Sequence, residues 1–440
     1  MDTWTVAAAA LFLLIFGLVS GRLEKSIITP PMAFTVFGLM LSPFIFQYTD
    51  IRLKGEVLKL LAEITLILVL FTDASRIRLS SLRKHYHLPL RLLGLGLPLT
   101  VLAGALAARW LLPGLELWEA AALAAILAPT DAALGQATVA NPAVPERIRQ
   151  ALNVESGLND GLALPLVLIT LSLASASAQA GSWDYWLWFA GKQVVLGPLA
   201  GAAVGFGAGW LILRATRHGW MSQVFQDLSA LGLSVLAYCA AELLGGNGLI
   251  AAFICGLTLG NTAPAVCTSL HEFAEAEGQL LVLITFLAFG AVMAVPALEG
   301  CSWRTLVYAG LSLTVVRMLP VCLSLLGAKL RPPTWLFIGW FGPRGLASIL
   351  FALLMLDRFQ LKGMGEIFSV VVVTVFFSVF AHGVSAAPLA RAYAAKAASL
   401  PAPPGMDKPG EMVVVEPLPV RLPFQEQSHR RRSRGTNPKD

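Results

Sequence analysis

The sequence predicts an all-α polytopic membrane protein with about thirteen transmembrane helices. Of its 440 residues, 56% are hydrophobic and only 13% are charged, whereas soluble domains carry roughly 25% charged residues. The mean hydropathy is +0.71. The few charges lie mostly between apolar runs of about 17 to 30 residues, which is the length that a helix needs to cross roughly 30 Å of hydrocarbon.

The predicted spans begin with an apolar run that lacks a charged leading region and a small-residue cleavage site. We therefore interpret this run as a retained first helix and not as a signal peptide. The approximate bounds of the predicted spans, in chain order, are 3–20, 27–46, 57–75, 88–110, 117–139, 149–175, 186–213, 224–244, 247–261, 277–297, 303–327, 333–356 and 365–390.

The basic residues predict the orientation of the chain. Lys and Arg exceed Asp and Glu by 32 to 26, an excess that also occurs in nucleic-acid-binding proteins. If the N-terminus lies outside, however, most of these residues fall in loops and a tail on the cytoplasmic side, as membrane topology requires. We therefore predict no nucleic-acid partner and a multi-pass protein of the cell (inner) membrane with its C-terminus in the cytoplasm.

Residues 396–440 are predicted to form a disordered, basic, cytoplasmic tail. This segment is rich in proline and ends in a cluster of arginines, Arg430–Arg432 with Arg434. Such a composition cannot bury a hydrophobic core. A basic cluster can bind anionic lipid head groups. We favour the alternative that the tail is solvated and that its basic residues only help to set the membrane topology.

Two predicted spans contain helix-breaking residues at corresponding places. In the fifth, Pro129 and Asp131 interrupt an apolar run; in the twelfth, Gly342–Gly345, with the sequence Gly-Pro-Arg-Gly, does the same. Irregular backbone at this depth is tolerated only where it is buried in protein or lines a watery cavity. Because the two spans are seven apart, they suit a six-plus-six inverted repeat with two broken crossing helices, a pattern that marks transporter sites.

The two breaks carry opposite charges. A broken helix exposes partial positive charge at the N-terminus of one half and partial negative charge at the C-terminus of the other. Asp131 can offset the first and Arg344 the second. This structural role does not exclude a functional one.

The sixth span contains the segment Glu155–Asp160, with the sequence Glu-Ser-Gly-Leu-Asn-Asp. A charge at membrane depth costs roughly 2.5 to 3.5 kcal/mol on insertion scales, so such residues are functional candidates. On a helix, Ser156 and Asp160 share one face because they are four residues apart. A buried Asp160 could hold either a proton or a hard cation, and competition between the two for one carboxylate is exchange chemistry.

These motifs resemble those of the NhaP-like and NHE-like sodium/proton antiporters of the cation:proton antiporter superfamily. The resemblance covers about residues 5 to 395 and is carried by Thr130-Asp131, Glu155–Gly161 and Gly342–Gly345, and further by Leu70–Ala74 and by Glu242 with Gly248–Phe253. The chain departs from the family in having Asp73 where a glutamate is common, and Ala132 where many members have proline.

The resemblance implies that Asp160 is the essential carrier of cation and proton. The Na⁺ site would be completed by three further residues, Asp131, Ser156 and Thr130. Four more would support it: Asn159, Glu155, Arg344 and Asp73, with Glu155 and Arg344 as structural partners. Electrogenic relatives have Asp-Asp where this chain has Asn159-Asp160, so the pair implies exchange of one cation for one proton. Lithium and potassium stay open, because the same oxygen ligands serve all three ions.

The resemblance also implies a homodimer that works by elevator-type alternating access. Within a membrane domain spanning 1–395, the interface helices would lie at about 3–75 and 186–297. The mobile core helices would lie at about 88–175 and 303–390. The core would carry the ion across the lipid bilayer.

Two other functions compete with antiport. A cation channel would more naturally show symmetric rings around a pore, and it would conduct without moving protons. An intramembrane enzyme is disfavoured because the chain has no His-Glu-x-x-His and no Gly-x-Ser-x-Gly motif. The five cysteines have neither zinc spacing nor a disulfide framework, so no cofactor is predicted. Three other polar residues within spans, Glu242, Arg317 and His382, are expected to form helix–helix hydrogen bonds.

Overall fold

The structure is a computed structural model that describes residues 3–23, 26–42, 55–77, 79, 86–131, 134–135, 141, 143–175 and 183–398. Within these ranges the chain is helical and contains no strand. When contiguous segments are joined, these ranges hold 14 helices. They are α1 (Thr3–Leu23), α2 (Pro30–Met40), α3 (Gly55–Ser75), α4 (His87–Leu111), α5 (Leu117–Ile126), α6 (Glu146–Ala174), α7 (Trp183–Arg217), α8 (Gln223–Leu243), α9 (Gly248–Thr262), α10 (Pro264–Ala288, continued by Phe289–Ala294 and Val295–Glu299), α11 (Trp303–Ser324), α12 (Pro332–Trp340), α13 (Leu346–Arg358) and α14 (Met364–Ala398).

Seven helices in the described part of the chain are long and apolar enough to cross a membrane, namely α4, α6, α8, α11, α14 and the greater part of α7 and α10. The class of all-α, multi-pass membrane protein is therefore confirmed. The fifth and twelfth predicted spans are short or divided in the structure because they are the two that contain the helix breaks. The count of thirteen spans and the inverted repeat remain predictions.

Some predicted bounds differ from the observed ones. α10 begins at Pro264 and not near residue 277, because proline suits the first turn of a helix, where its missing N–H has no partner to lose. The second half of the fifth predicted span includes Ala132, which lies outside the described residues, and so does the predicted tail from residue 399 onward.

Glycines allow α9 to approach its neighbours closely. A Cβ on Gly256 would overlap with the backbone of Phe71 on α3, and one on Gly260 would overlap with the backbone of Ser75. On the other side of α9, Gly201 of α7 makes a similarly close approach. Small residues at such contacts let helix backbones meet in a membrane, where van der Waals packing drives helix association. α9 is therefore held tightly between α3 and α7.

Candidate functional site

The two predicted breaks meet in the interior of the molecule. Residues 127–131, which follow α5, and residues 341–345, between α12 and α13, are not helical. The backbone N–H of Asp131 donates to the carbonyl of Pro343 over 2.7 Å. A main-chain hydrogen bond thus joins two segments that are far apart in the sequence.

Asp131 and Arg344 each serve a helix end of the opposite break. The Oδ2 atom of Asp131 accepts from the N–H of Leu346, the first residue of α13, over 2.9 Å. The Nη1 atom of Arg344 donates to the carbonyls of Ala128 at 2.5 Å and Pro129 at 3.1 Å, just beyond α5. A carboxylate therefore lies at a helix N-terminus and a guanidinium near a helix C-terminus, which are the favourable signs at both ends.

Two glycines make room for this arrangement. A Cβ on Gly345 would overlap with the carboxylate of Asp131, and one on Gly342 would overlap with the guanidinium of Arg317. Gly345 has a φ of −158°, outside the left-handed region. The lack of space beside the carboxylate of Asp131 therefore excludes a side chain at Gly345.

Thr130 connects the first break to α6. Its Oγ1 accepts from the amide Nδ2 of Asn159 over 2.6 Å and lies 3.1 Å from the Oγ of Ser156. All three side chains are buried. The structure thus brings together three residues that the sequence placed in two separate motifs.

Asp160 lies beside this cluster, with 6% of the residue exposed. Its charged neighbours are Asp131 and, from α3, Asp73. Among the described residues, neither the Oδ1 of Asp160 nor the Oδ1 of Asn159 has a hydrogen-bond partner. Buried carboxylates this close together repel one another when charged, and unpaired buried acceptors are costly. A bound proton or a bound cation would relieve both costs.

The direct partner of Glu155 differs from the one expected. Glu155 pairs with Arg317 of α11, with Oε1 and Nη2 2.6 Å apart and both side chains 2% exposed. The sequence analysis named Glu155 and Arg344 as structural partners; Arg344 interacts electrostatically with Glu155, but the salt bridge of Glu155 is with Arg317. Arg344 lies at the break between α12 and α13, and its guanidinium donates to the carbonyls of Ala128 and Pro129 at the other break. A buried charge needs a partner of opposite sign, and Arg317 is a basic residue within a predicted span. This signal could have identified Arg317 as the partner of Glu155, whereas the sequence analysis expected only a helix–helix hydrogen bond from it.

Replacement of Arg317 by Met is expected to destabilise the protein by roughly 3–5 kcal/mol, because it leaves Glu155 buried without its salt-bridge partner. The apparent melting temperature in detergent measures this loss. The double variant Glu155→Gln/Arg317→Met should recover part of it. As a matched control, Lys362→Met removes only an exposed ion pair with Glu116 and should leave the melting temperature nearly unchanged. Equal effects of the two methionine variants would contradict the prediction.

The other expected helix contacts also occur, and one side chain was missed. Glu242 accepts from the N–H of Gly248 at the start of α9 over 3.0 Å. His382 on α14 lies 2.9 Å from the carbonyl oxygen of Trp340. The missed residue is Ser378, whose Oγ accepts from the N–H of Arg344 over 2.7 Å. A serine in a largely apolar helix gives no sequence signal of such a role.

Comparison with known proteins identifies the family. The sequence model described as "Sodium/hydrogen exchanger, transmembrane" matches residues 8–392. The K(+)/H(+) antiporter NhaP of Alkalimonas amylolytica is 28% identical over 341 residues, which cover 76% of this chain and 58% of that protein. The Na(+)/H(+) antiporter NhaG of Bacillus atrophaeus is 25% identical over 366 residues, which cover 81% and 68% of the two chains. The matched region is thus a little more than half the length of the NhaP relative.

A solved structure shows the same fold. The sodium proton antiporter MjNhaP1 from Methanocaldococcus jannaschii superposes with a TM-score of 0.72 at 22% identity, over 88% of this chain and 98% of that chain. The family consists of transporters, which confirms the prediction that the chain is not an enzyme. Because the family's sequence model spans most of the protein, the chain belongs to the transmembrane sodium/hydrogen exchanger family.

Proposed function

We propose that this protein exchanges a monovalent cation for a proton across the membrane, and that the two ions compete for Asp160. The observation that carries the proposal is the pair of buried acceptor oxygens on Asp160 and Asn159, which lack partners among the described residues. They lie where Asp131 and Asp73 add negative charge. Oxygen ligands suit a hard cation, and a buried carboxylate also favours a proton. A carboxylate that holds one ion or the other, but not both, couples their movements.

The cation site combines oxygen atoms from two segments. Asp160 and Ser156 come from α6, and Thr130 and Asp131 come from the break after α5. The bond from Asn159 to Thr130 fixes these segments relative to each other. Binding therefore requires the break to be held in place, because a continuous α5 would turn Thr130 and Asp131 to different sides of a helix.

The exchange is electroneutral in this proposal. Asn159 stands next to Asp160 and is neutral, so the adjacent pair supplies one titratable group. One cation then replaces one proton. In vesicles with equal cation concentrations on both sides, an imposed membrane potential should drive no net proton flux; a voltage-driven flux would contradict the one-to-one ratio.

The identity of the cation is tested by a panel of Na⁺, K⁺ and Li⁺ salts. The relatives are named as K(+)/H(+) or Na(+)/H(+) antiporters, so either ion is a reasonable substrate. Addition of the transported cation to acid-loaded proteoliposomes should restore the fluorescence of a quenched pH dye at one or more pH values. Cation conductance without proton movement would instead indicate a channel.

A cavity lies beside the part of α6 that follows Asp160. It has a volume of about 300 Å³ and is lined by Leu164 and Leu168 of α6, Glu63 of α3, Tyr238 and Glu242 of α8, and Arg358 of α13. Leu164 is one helical turn beyond Asp160. In the proposed orientation, with the N-terminus outside, this cavity opens on the outer side. It lies between the helices proposed as mobile core, α6 and α13, and those proposed as interface, α3 and α8.

We propose alternating access by movement of the core helices against the interface helices of a homodimer. Asp73 belongs to the interface helix α3, whereas Asp160 and Asp131 belong to the core, so the site lies at the proposed sliding boundary. A salt bridge between Lys59 of α3 and Asp357 of α13 crosses the same boundary. In this conformation it links the two groups of helices.

Cross-linking across this boundary is expected to stop exchange. With the native cysteines replaced by serine, a short thiol cross-linker between Lys59→Cys and Asp357→Cys should block transport, and cleavage of the linker should restore it. The control joins Thr65→Cys of α3 to Thr285→Cys of α10, whose native hydroxyl oxygens lie 3.3 Å apart within the interface group. This second cross-link should permit transport. Full activity with the first cross-link in place, verified by mass spectrometry, would contradict a sliding mechanism.

A further inference from the structure

Two polar side chains of α14 face the break between α12 and α13. Ser378 and His382 are four residues apart, so they share one face of the helix. They are 0% and 1% exposed. The Ser378 Oγ accepts from the N–H of Arg344 over 2.7 Å, and the His382 Nε2 lies 2.9 Å from the carbonyl oxygen of Trp340. α14 therefore contacts the backbone on both sides of the break.

The contact with Trp340 defines the protonation of the His382 Nε2. The Trp340 carbonyl can only accept, so the Nε2 of His382 carries a proton and donates it. The Nδ1 of His382 lies 3.1 Å from the Ser378 Oγ and 3.0 Å from the Ser378 carbonyl oxygen, so both of its contacts are with residue 378 of the same helix. The two contacts that reach the break are therefore the one from Nε2 to Trp340 and the one from the Arg344 N–H to the Ser378 Oγ.

Each of these contacts serves a group that the break leaves without a helical partner. Trp340 is the last residue of α12, so its carbonyl has no intrahelical donor. The N–H of Gly342 also donates to this carbonyl, over 2.8 Å. The N–H of Arg344 lies before the start of α13. His382 and Ser378 therefore fix the positions of two points on the break.

The side chain of Arg344 connects these two contacts to the proposed cation site. The guanidinium of Arg344 holds the carbonyls of Ala128 and Pro129, which directly precede Thr130 and Asp131 in the chain. A shift of the Arg344 backbone would therefore move the segment that carries two of the proposed ligands. Loss of a hydrogen bond made directly to a metal ligand typically changes affinity by 10- to 100-fold, so a loss that acts through Arg344 is expected near the lower end of that range.

We propose that Ser378 and His382 are positioning residues of the cation site, which act through Arg344 and not by touching the cation. This inference rests on the proposed exchange function. It assigns the last helix a role in cation affinity in addition to its role in packing.

The test measures the cation concentration that gives half-maximal dye response in proteoliposomes. His382→Ala and Ser378→Ala should each raise this concentration by about 10-fold with a smaller change in maximal rate. His382→Gln should recover much of the affinity, because its amide N–H can still donate to the Trp340 carbonyl. Ser369→Ala is the matched control: its Oγ also donates from α14 to a carbonyl, that of Ala297 on α10, but far from the break. This variant should keep the wild-type value.

A second measurement separates this inference from the proposed function. Binding of Na⁺, K⁺ or Li⁺ should raise the apparent melting temperature of the wild type in detergent, and His382→Ala should need more cation for the same shift. If the wild type shows this shift but no exchange, the proposed function fails while the positioning role stands. If both alanine variants keep wild-type cation dependence in both assays, the positioning role is overturned. If His382→Ala fails to fold, His382→Gln takes its place in both assays and is compared with Ser378→Ala.

Discussion

Asp160→Asn is expected to reduce cation-dependent proton exchange to the level of protein-free vesicles. The amide has nearly the shape of the carboxylate, but it carries no negative charge and takes up no proton near neutral pH. Both ions therefore lose the group for which they compete. The measurement is dequenching of a pH dye in proteoliposomes after addition of the cation, with the amount of reconstituted protein kept equal.

The stability of this variant distinguishes loss of function from loss of fold. Asp160 faces Asp131 and Asp73, so removal of its charge relieves repulsion. Without cation, the variant should melt at or above the wild-type temperature. The control is Asp227→Asn, in which a partly exposed carboxylate of α8 that accepts from Gln223 is removed; transport should be unaffected. Near-wild-type exchange by Asp160→Asn would exclude Asp160 as the carrier.

The helix breaks could be predicted from the sequence because each contains its own local cause. Proline removes a backbone donor and glycine weakens the helix, and both stand inside apolar runs where a break must be buried or hydrated. The opposite charges of Asp131 and Arg344 follow from the helix dipoles in the same local way. Such features depend on a few consecutive residues, so they need no knowledge of the tertiary structure.

The pairing of groups across the molecule could not be predicted in this way. Asp131 serves the N-terminus of α13, and Arg344 serves the end of α5, because the two breaks cross in space. The choice of Arg317 as the partner of Glu155 depends likewise on how α11 packs against α6. Periodicity shows which residues share a helix face, but it does not show which other helix that face meets.

The crossing of the breaks also explains why a small change should have a large effect there. Three contacts join the two segments at Asp131. Its carboxylate accepts from the N–H of Leu346, its own N–H donates to the carbonyl of Pro343, and its carboxylate occupies the space that a side chain at Gly345 would need. A shift of either segment would therefore disturb the other. A single methyl group in the wrong place should therefore displace a proposed cation ligand.

Gly345→Ala is expected to abolish most of the exchange activity for this reason. The added Cβ would overlap with the carboxylate of Asp131, which must then leave the N-terminus of α13 and the cation site. Overpacking of this kind costs roughly 1–3 kcal/mol, so the apparent melting temperature should fall as well. Gly365→Ala on α14 is the matched control, because a Cβ there meets nothing within 4 Å. It should leave both exchange and melting temperature close to wild type.

A double-mutant cycle identifies the atom responsible. In an Asp131→Ala background the carboxylate is gone, so the methyl group of Gly345→Ala has room and should lower the melting temperature much less than in the wild type. Residues in direct contact show such non-additivity, whereas independent sites add. If Gly345→Ala lowered the melting temperature equally in both backgrounds, its effect would not arise from contact with Asp131. The close packing of Gly345 against Asp131 would then not be what positions this proposed ligand.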